Sequence, residues 1–449
     1  MIGRKIDQYF EDFYKTEKKA LLVTGARQIG KTFSIRNFGK THYSSFLEIN
    51  FIDSPEAIGI FSNAKNSSDI LLRMSAYTRK PLIKGKTLIF FDEVQECNAI
   101  ITAIKFLVDE GSYSYIMSGS LLGVELNDIR SVPVGYMDIK EMYPLDFEEF
   151  TEAIGLRSTI ISGIRNSWKA LNPVDDFIHK KLMELFRLYL IVGGMPAVVQ
   201  KYLDTNNLRD VMNEQQAIIK LYKKDISKYD KNHKLYIEEI FNLIPPELNA
   251  KNKRFILKRL NENVKFSRYE DSFIWLKDAG VALPVYNVEE PVIPLVLSRS
   301  RNLFKLFQND VGLLAGQYAD DIQLNILNNE KSINFGSVYE NAVAQELHAH
   351  GFDLYYFNSK KQGELDFVIE QNGHVIPIEV KSGKDYERHN ALTGVMNDSE
   401  YGIQKAFVLC NGNLKVQGNI VYLPIYMVMF LTKKSSGMIS YKVDLNGLQ

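Results

Sequence analysis

Two short stretches of this chain hold residue types whose spacing could do chemistry. The first is GARQIGKTF, Gly25 to Phe33, which fits G-x-x-x-x-G-K-T between an apolar run and a helical pattern. Gly25 and Gly30 free the backbone to curl around phosphate. Ala26, Arg27, Gln28, Ile29 and Phe33 complete the cradle, and amides at the helix start receive the anion. Lys31 then reaches the outer phosphates and the Thr32 hydroxyl ligates Mg²⁺, so ATP and Mg²⁺ are the expected cofactors. A matching signal lies in KTLIFFDEVQE, an apolar parallel-type strand that ends in Asp92 and Glu93. Asp92 is expected to hold the Mg²⁺ ion through its shell, and Glu93 to orient and deprotonate an attacking water. A third run, YSYIMSGS, ends at Ser118, which reads either as a sensor of the γ-phosphate or as a helix cap.

The second stretch is GELDFVIEQNGHVIPIEVKSG, Gly363 to Gly383. The Asn372-Gly373 pair between alternating apolar runs predicts a two-residue hairpin turn, and that turn sets the register. Asp366 then opposes Glu379, Glu364 opposes Lys381, and Asp366, Glu379 and Lys381 share one face. Phe367, Ile369, Ile376, Ile378 and Val380 make the apolar face. Two carboxylates about 4.5 Å apart at a non-hydrogen-bonded pair repel, so a divalent cation beside a lysine is one way to compensate them. A polar strand face in water, with Lys381 screening the acids, is the other.

The remaining elements must position these groups. FLEINF and GYMDIKEM read as further strands and AIITAIKFLVDEG as a crossover helix, and this alternation predicts a mainly parallel sheet with ligand at its carboxyl ends. From about Asn172 to Lys231 apolar residues recur at helical spacing, interrupted by Gly193-Gly194 and Pro196. Three helical patterns and a short hairpin follow, in the manner of a winged helix. Its Lys251, Lys253, Arg254, Lys258 and Arg259 read as phosphate contacts for DNA or as a solvated basic face. FGSVYENAVAQELHAHG predicts a helix ending near Gly351, with KAFVLCN and IVYLPI as later strands.

Composition narrows the function classes. The 449 residues carry 54 basic and 54 acidic side chains, so no global charge points to nucleic acid. Cys97 and Cys410 have no metal-ligand or redox spacing, and a reducing cytoplasm is the expected location. The opening MIGRKIDQYFEDFYK lacks the pattern of a secretory signal, and the apolar run from Ile420 to Leu431 is too short to cross a bilayer, so no membrane partner is expected. His348 and His350 would point to different sides of a helix, which speaks against a zinc site.

GARQIGKT, FFDEVQE, SGSLLG, VPVG and YPLDFEEF in this order closely resemble a group of prokaryotic AAA-type ATPases in which the AAA domain precedes a shared region of unknown function. The resemblance continues through VGGMPAVV, YKKDISKY, IPPELNAKNKRF, WLKDAGV and NDVGLLAG, nearly the whole chain. It implies nucleotide contacts for Gly25, Gly30, Lys31 and Thr32 and catalytic acids at Asp92 and Glu93. The end of the chain resembles the restriction-endonuclease-like PD-(D/E)xK nucleases, with Glu340 on a helix, then Asp366, Glu379 and Lys381. That resemblance implies Mg²⁺ or Mn²⁺ at Asp366 and Glu379, and Lys381 orienting water or stabilising charge on phosphate. The fold expected is therefore an α/β multidomain chain. It has a P-loop AAA-type ATPase core over residues 1–155, a helical lid-like region over 156–231 and a winged-helix-like region over 232–300. A restriction-endonuclease-like α/β domain over 301–449 completes it.

Many relatives carry Arg or Lys where this chain has Tyr136. Arg130 is the nearest basic substitute, and a homo-oligomer could supply an arginine finger in trans. Two functions stay open. One is an ATPase coupling nucleotide state to a nuclease-like domain that binds and cuts DNA. The other is an ATP-dependent switch that binds a protein partner and keeps an inactive nuclease fold.

Overall fold

Apolar runs too short for helices and bounded by turn residues become strands. The computed structural model describes residues 2–64, 66–119, 135–229, 234–250, 253–256, 269–318, 320–328 and 336–433. Helix α1 (Lys5–Thr16) leads into β1 (Ala20–Thr24), α2 (Lys31–His42), β2 (Ser45–Asn50), α3 (Ser67–Tyr77), β3 (Thr87–Asp92), α4 (Asn98–Glu110), β4 (Ser114–Ser118) and β5 (Met137–Glu141). The five strands form one parallel sheet in the order β2-β3-β4-β1-β5. All five residues of β1 are buried, as a strand covered on both faces requires. Alternate side chains serve two cores: Leu21, Val23, Leu88 and Phe90 face one, and Leu22, Ile89 and Phe91 the other.

Helices then fill the middle of the chain: α5 (Phe147–Ala153), α6 (Ser158–Ala170), α7 (Asp176–Val192), α8 (Pro196–Thr205), α9 (Leu208–Tyr229), α10 (Lys234–Leu248) and α11 (Glu270–Asp278). Beyond them come β6 (Ala282–Val288), β7 (Arg299–Gln308), α12 (Val311–Ala315), α13 (Asp320–Leu327), α14 (Gly336–Ala349), β8 (Tyr355–Ser359), β9 (Gly363–Gln371) and β10 (His374–Val380). Helix α15 (Asn390–Asn397), β11 (Ala406–Cys410), β12 (Lys415–Gln417) and β13 (Ile420–Pro424) follow. The second sheet is mixed, with eight strands in the order β12-β13-β11-β10-β9-β8-β6-β7. Strand β7 crosses the expected division at residues 300 and 301, and β6 pairs in parallel with β8, so the hairpin of the winged-helix-like stretch is the edge of this sheet. Lys251, Lys258, Arg259 and Arg130 lie outside the described residues.

The hairpin register agrees with the turn-based expectation, from His374 opposite Gln371 to Ile378 opposite Phe367. Phe367, Ile369, Ile376, Ile378 and Val380 join a core that also contains Phe10, Tyr189 and Leu283. One continuous apolar core therefore joins the first sheet to the second. Among the described residues no single helix is long and apolar enough to cross a membrane.

The joint between the two sheets turns on Gly193-Gly194. Gly193 has φ +74°, and the buried Asp310 carboxylate accepts the Gly194 N–H at 2.6 Å and the Leu313 N–H at 2.9 Å. A methyl group on Gly194 would lie 2.0 Å from the Leu145 carbonyl oxygen, and the Leu145 N–H donates to the Gly194 carbonyl at 2.7 Å, so the two backbones cannot separate freely. Overpacking of this kind costs about 1–3 kcal/mol. Gly194→Ala is thus expected to lower the urea midpoint of the full chain, followed by fluorescence and by circular dichroism. Unfolding at the wild-type midpoint would show that the backbone gives way freely here.

Candidate functional site: a phosphate loop and a buried carboxylate cluster

The chain leaves β1 into the loop through Gly25, whose φ is +124° and whose Cβ, if present, would lie 2.2 Å from the Met142 carbonyl oxygen. Only glycine fits such a backbone approach. The loop closes at Gly30, φ +93°, directly before the first turn of α2. Lys31 folds back to donate to the carbonyls of Gly25 at 2.8 Å and Ala26 at 2.7 Å. Burial pulls its ammonium down to about 8, with Glu93 and Asp92 acting in the opposite direction.

Asp92, at the carboxyl end of β3, is the hub. It accepts hydrogen bonds from Thr32 Oγ1 at 3.0 Å, Asn50 Nδ2 at 3.1 Å, the Ser118 hydroxyl and the Glu93 N–H at 3.2 Å. Burial, and next to it the Glu93 charge, raises its carboxyl above the ordinary aspartate value against the donors from Ser118 and Thr32. The hydroxyl of Thr32 and the carboxylate of Asp92 are the hard oxygen donors Mg²⁺ takes, held side by side at the mouth of the loop. Glu93 sits in the left-handed region at φ +55° and accepts from Gln95 Nε2 at 2.6 Å. A non-glycine residue held there marks a place where the surroundings over-determine the backbone. The Ser118 hydroxyl is turned toward the Asp92 carboxylate at the end of the neighbouring strand.

Sequence reading missed the residues that hold the loop from behind. Arg4 donates to the Ile29 carbonyl at 3.0 Å and the Tyr143 carbonyl at 2.6 Å, and its Nε pairs with Glu149 at 3.1 Å. Arg27 pairs with Asp225 of α9, and the Tyr222 hydroxyl donates to the Arg27 carbonyl at 3.1 Å. A Cβ on Gly280, at the end of α11, would come within 3.0 Å of the Ala26 nitrogen. Asn50 had a readable signal, a polar residue closing an apolar strand; Arg4 had none. Between the loop start, the end of β5 and the second sheet lies a cavity of about 440 Å³ whose lining includes Gly25, Glu141, Lys277, Arg299 and His348. Tyr136 carries the Lys105 ammonium 5.2 Å from its ring centre, so a cation stands over the tyrosine.

The second group of site residues also converges. Glu340 on α14 and Glu379 on β10 are buried, and Lys381 Nζ lies 2.6 Å from Glu379 Oε1. Burial first, then the Asp366 charge, pushes Glu379 up to about 8. Past Phe367 and Ile378 no further backbone pairing joins β9 to β10; instead Asp366 Oδ2 accepts the Val380 N–H at 2.8 Å. Glu364 does not face Lys381: its Oε1 lies 2.7 Å from Lys305 Nζ. Lys253, read as part of a basic face, pairs with Glu340. Lys305, alone among apolar neighbours in LFKLFQ, was a buried lysine that the pattern could have flagged.

Residues 17–151 match a family model described as AAA domain. Residues 183–323 and 335–428 match two domains of unknown function, DUF8612 and DUF4143. No curated protein matches the sequence. Among solved structures, the Walker-type ATPase PABY2304 of Pyrococcus abyssi is similar at 13% identity, over 71% of this chain and 96% of that one, with a TM-score of 0.43. A variant of Thermotoga maritima RuvB is similar at 14% identity, over 63% and 89%, with a TM-score of 0.31. Cdc6p from Pyrobaculum aerophilum is similar at 12% identity, over 72% and 92%, with a TM-score of 0.23. The front of the chain is an AAA-type, P-loop ATPase domain within a mixed α/β multidomain protein.

A phosphate held against Lys31 would make nucleotide binding pH-dependent in a defined sense. Burial pulls the Lys31 ammonium down to about 8, and a bound phosphate would favour the charged form. Below that pH the lysine is already charged and contributes no pH dependence. Above it binding must take up a proton, and affinity falls by up to about tenfold per pH unit. Calorimetry in two buffers of different ionisation enthalpy is expected to show proton uptake at pH 9 that Lys31→Met removes. Equal uptake in the variant would assign the proton elsewhere.

Proposed function

We propose that this protein binds and hydrolyses Mg²⁺-ATP at the Gly25–Phe33 loop and conveys its nucleotide state to a nuclease-like C-terminal domain that binds DNA. The observation that carries the first half is the assembly of Lys31, Thr32, Asp92, Glu93 and Ser118 at the carboxyl ends of parallel strands. A Mg²⁺ ion at Thr32 and Asp92 would neutralise charge on the phosphates. Lys31 and the amides at the start of α2 hold the terminal phosphates in line. Glu93 takes the proton of the water that attacks the γ-phosphorus, and the bond to the bridging oxygen breaks with its electron pair leaving on ADP. Ser118 keeps Asp92 oriented.

Coupling has a physical route. Arg27 and Arg4 tie the loop to α9 and to α5, and α14, packed beneath α5, carries Glu340 into the second site. In the nuclease-like reading Asp366, Glu379 and Glu340 bind Mg²⁺ or Mn²⁺ and Lys381 steadies the charged phosphate. One observation favours the second reading, a switch that acts through a protein partner with the nuclease fold inactive. Both Lys253 and Lys305 stand by Glu340, where a catalytic metal would have to compete with them.

Glu93→Gln is expected to keep ATP binding and lose about 10²–10⁴-fold in turnover, as removal of a general base does. Cleavage of linear and supercoiled DNA in Mg²⁺ or Mn²⁺, with Lys381→Ala alongside, separates the two readings. Cutting lost in Lys381→Ala supports the nuclease; no cutting by wild type with or without ATP supports the switch. Turnover by Glu93→Gln at the wild-type rate would remove Glu93 from the mechanism.

A further inference from the structure

The donor set of the C-terminal cluster suits a hard cation. Oε2 of Glu340 and Oε2 of Glu379 are buried and have no hydrogen-bond partner, and Asp366 adds a third carboxylate. Yet the arrangement does not fit a metal ion. Among the described residues no group of three or more His, Cys, Asp or Glu is placed to hold one. Ammonium groups occupy the space between the acids instead. Lys253 pairs with Glu340 Oε1, Lys305 lies 3.9 Å from Glu340 Oε2 and 2.7 Å from Glu364 Oε1, and Lys381 lies 2.6 Å from Glu379 Oε1. Three lysines stand against the carboxyl groups of Glu340, Glu364, Asp366 and Glu379, and with Glu379 pushed up to about 8 the cluster keeps little net negative charge near neutral pH. A buried ion pair that is already closed offers little to a dication that must shed water to enter.

The three lysines differ in how they are held. Lys305 is fully buried within a strand, and Lys381 follows its partner Glu379 by two residues. Lys253 belongs to no helix or strand, and its side chain is 22% exposed. Its segment is anchored by the Phe255 N–H, which donates to the Phe304 carbonyl at 3.0 Å, so the side chain can leave Glu340 while the backbone stays. Burial opposes the charge on Lys253, but Glu340 and Asp366 more than offset this and hold its ammonium above the ordinary lysine value.

We propose that Lys253 is an internal cation that closes the carboxylate site: with its ammonium on Glu340 the site excludes divalent ions, and with that charge withdrawn Glu340, Asp366 and Glu379 take one. This regulation rests on the nuclease-like reading of the same residues. The test is Mn²⁺ binding to the full chain without nucleotide, followed by electron paramagnetic resonance, for wild type, Lys253→Met and Lys253→Met with Glu340→Gln. Methionine keeps the length of the stem and removes the charge.

Lys253→Met is expected to bind one more Mn²⁺ per chain than wild type, at least tenfold tighter than wild type does at this cluster, and the double variant to lose it. The same Mn²⁺ stoichiometry in wild type and Lys253→Met would overturn the proposal. ATP binding at the wild-type level checks the fold of each variant, and Lys253→Gln, judged by the same criterion, replaces the methionine variant if that check fails. Extra Mn²⁺ without DNA cleavage would uphold the closing lysine and sink the nuclease reading. Cleavage by wild type with no extra ion in Lys253→Met would do the reverse.

Discussion

Burial of α14 on every side is the constraint from which the architecture follows. Every residue from Ser337 to Leu347 is buried, including Ser337, Glu340, Asn341, Gln345 and Glu346. Polar groups so placed must find partners or cost about 1–3 kcal/mol each. They find them on four helices and strands and at two positions outside any element, Asn249 and Lys253. Ser337 donates to Asn249 at 2.7 Å, Glu340 pairs with Lys253, and Asn341 exchanges two hydrogen bonds with the Gln308 backbone at 2.8 and 3.1 Å. Gln345 accepts the Val311 N–H at 2.8 Å and donates to the Tyr189 hydroxyl at 2.8 Å, and Glu346 accepts the Phe147 N–H at 2.7 Å. Each of these bonds places one neighbour, so the helix fixes the relation of the two sheets. Aliphatic residues in these positions would bury equally well and orient far less.

The same helix sets two electrostatic regimes about one helical turn and a half apart. At Glu340 lysines supply the countercharge. At its far end Glu346, pushed up to about 7 by burial and then by the Asp146 charge, lies with His350 against Asp146 and Lys5. Asp146 stays well below the usual carboxylate range because Lys5 and His350 outweigh its burial. Lys5 and Arg4 are consecutive, and Arg4 grips the phosphate loop. The loop, the buried acids and the C-terminal cluster are thus linked by ion pairs and one rigid rod, not by a mobile linker.

Legibility followed the range of the interactions. The phosphate loop, the Asp92-Glu93 strand end and the Asn372-Gly373 hairpin depend on neighbours within a few residues, and their positions agree with the sequence reading. The apolar face of the hairpin did too, because strand periodicity is local. What escaped depends on long closure. Arg4 meets Glu149, Lys253 meets Glu340, and Arg27 meets Asp225, pairs between 87 and 198 residues apart. The expected division at residues 300 and 301 fell inside β7 for the same reason: a hairpin that looks like the wing of a small domain gains its third strand only from β8. Pairing across Asp366 and Glu379 stopped short because a side-chain carboxylate took the N–H that a carbonyl would have accepted.

The continuous core has a consequence for how the chain is made. Helix α7 presents Phe186 and Tyr189 to a core that is completed by Tyr339 of α14, with Phe186 and Tyr339 rings 5.8 Å apart. At the usual pace of synthesis the separation of 153 residues between Phe186 and Tyr339 (339 − 186) takes roughly 8 to 30 s to emerge. Throughout that interval the nascent protein carries a finished nucleotide-binding sheet beside an uncovered aromatic surface. Such a surface engages whatever apolar partner arrives first, which makes the period on the ribosome, rather than the finished protein, the stage at which this fold is most exposed to aggregation and most dependent on chaperones.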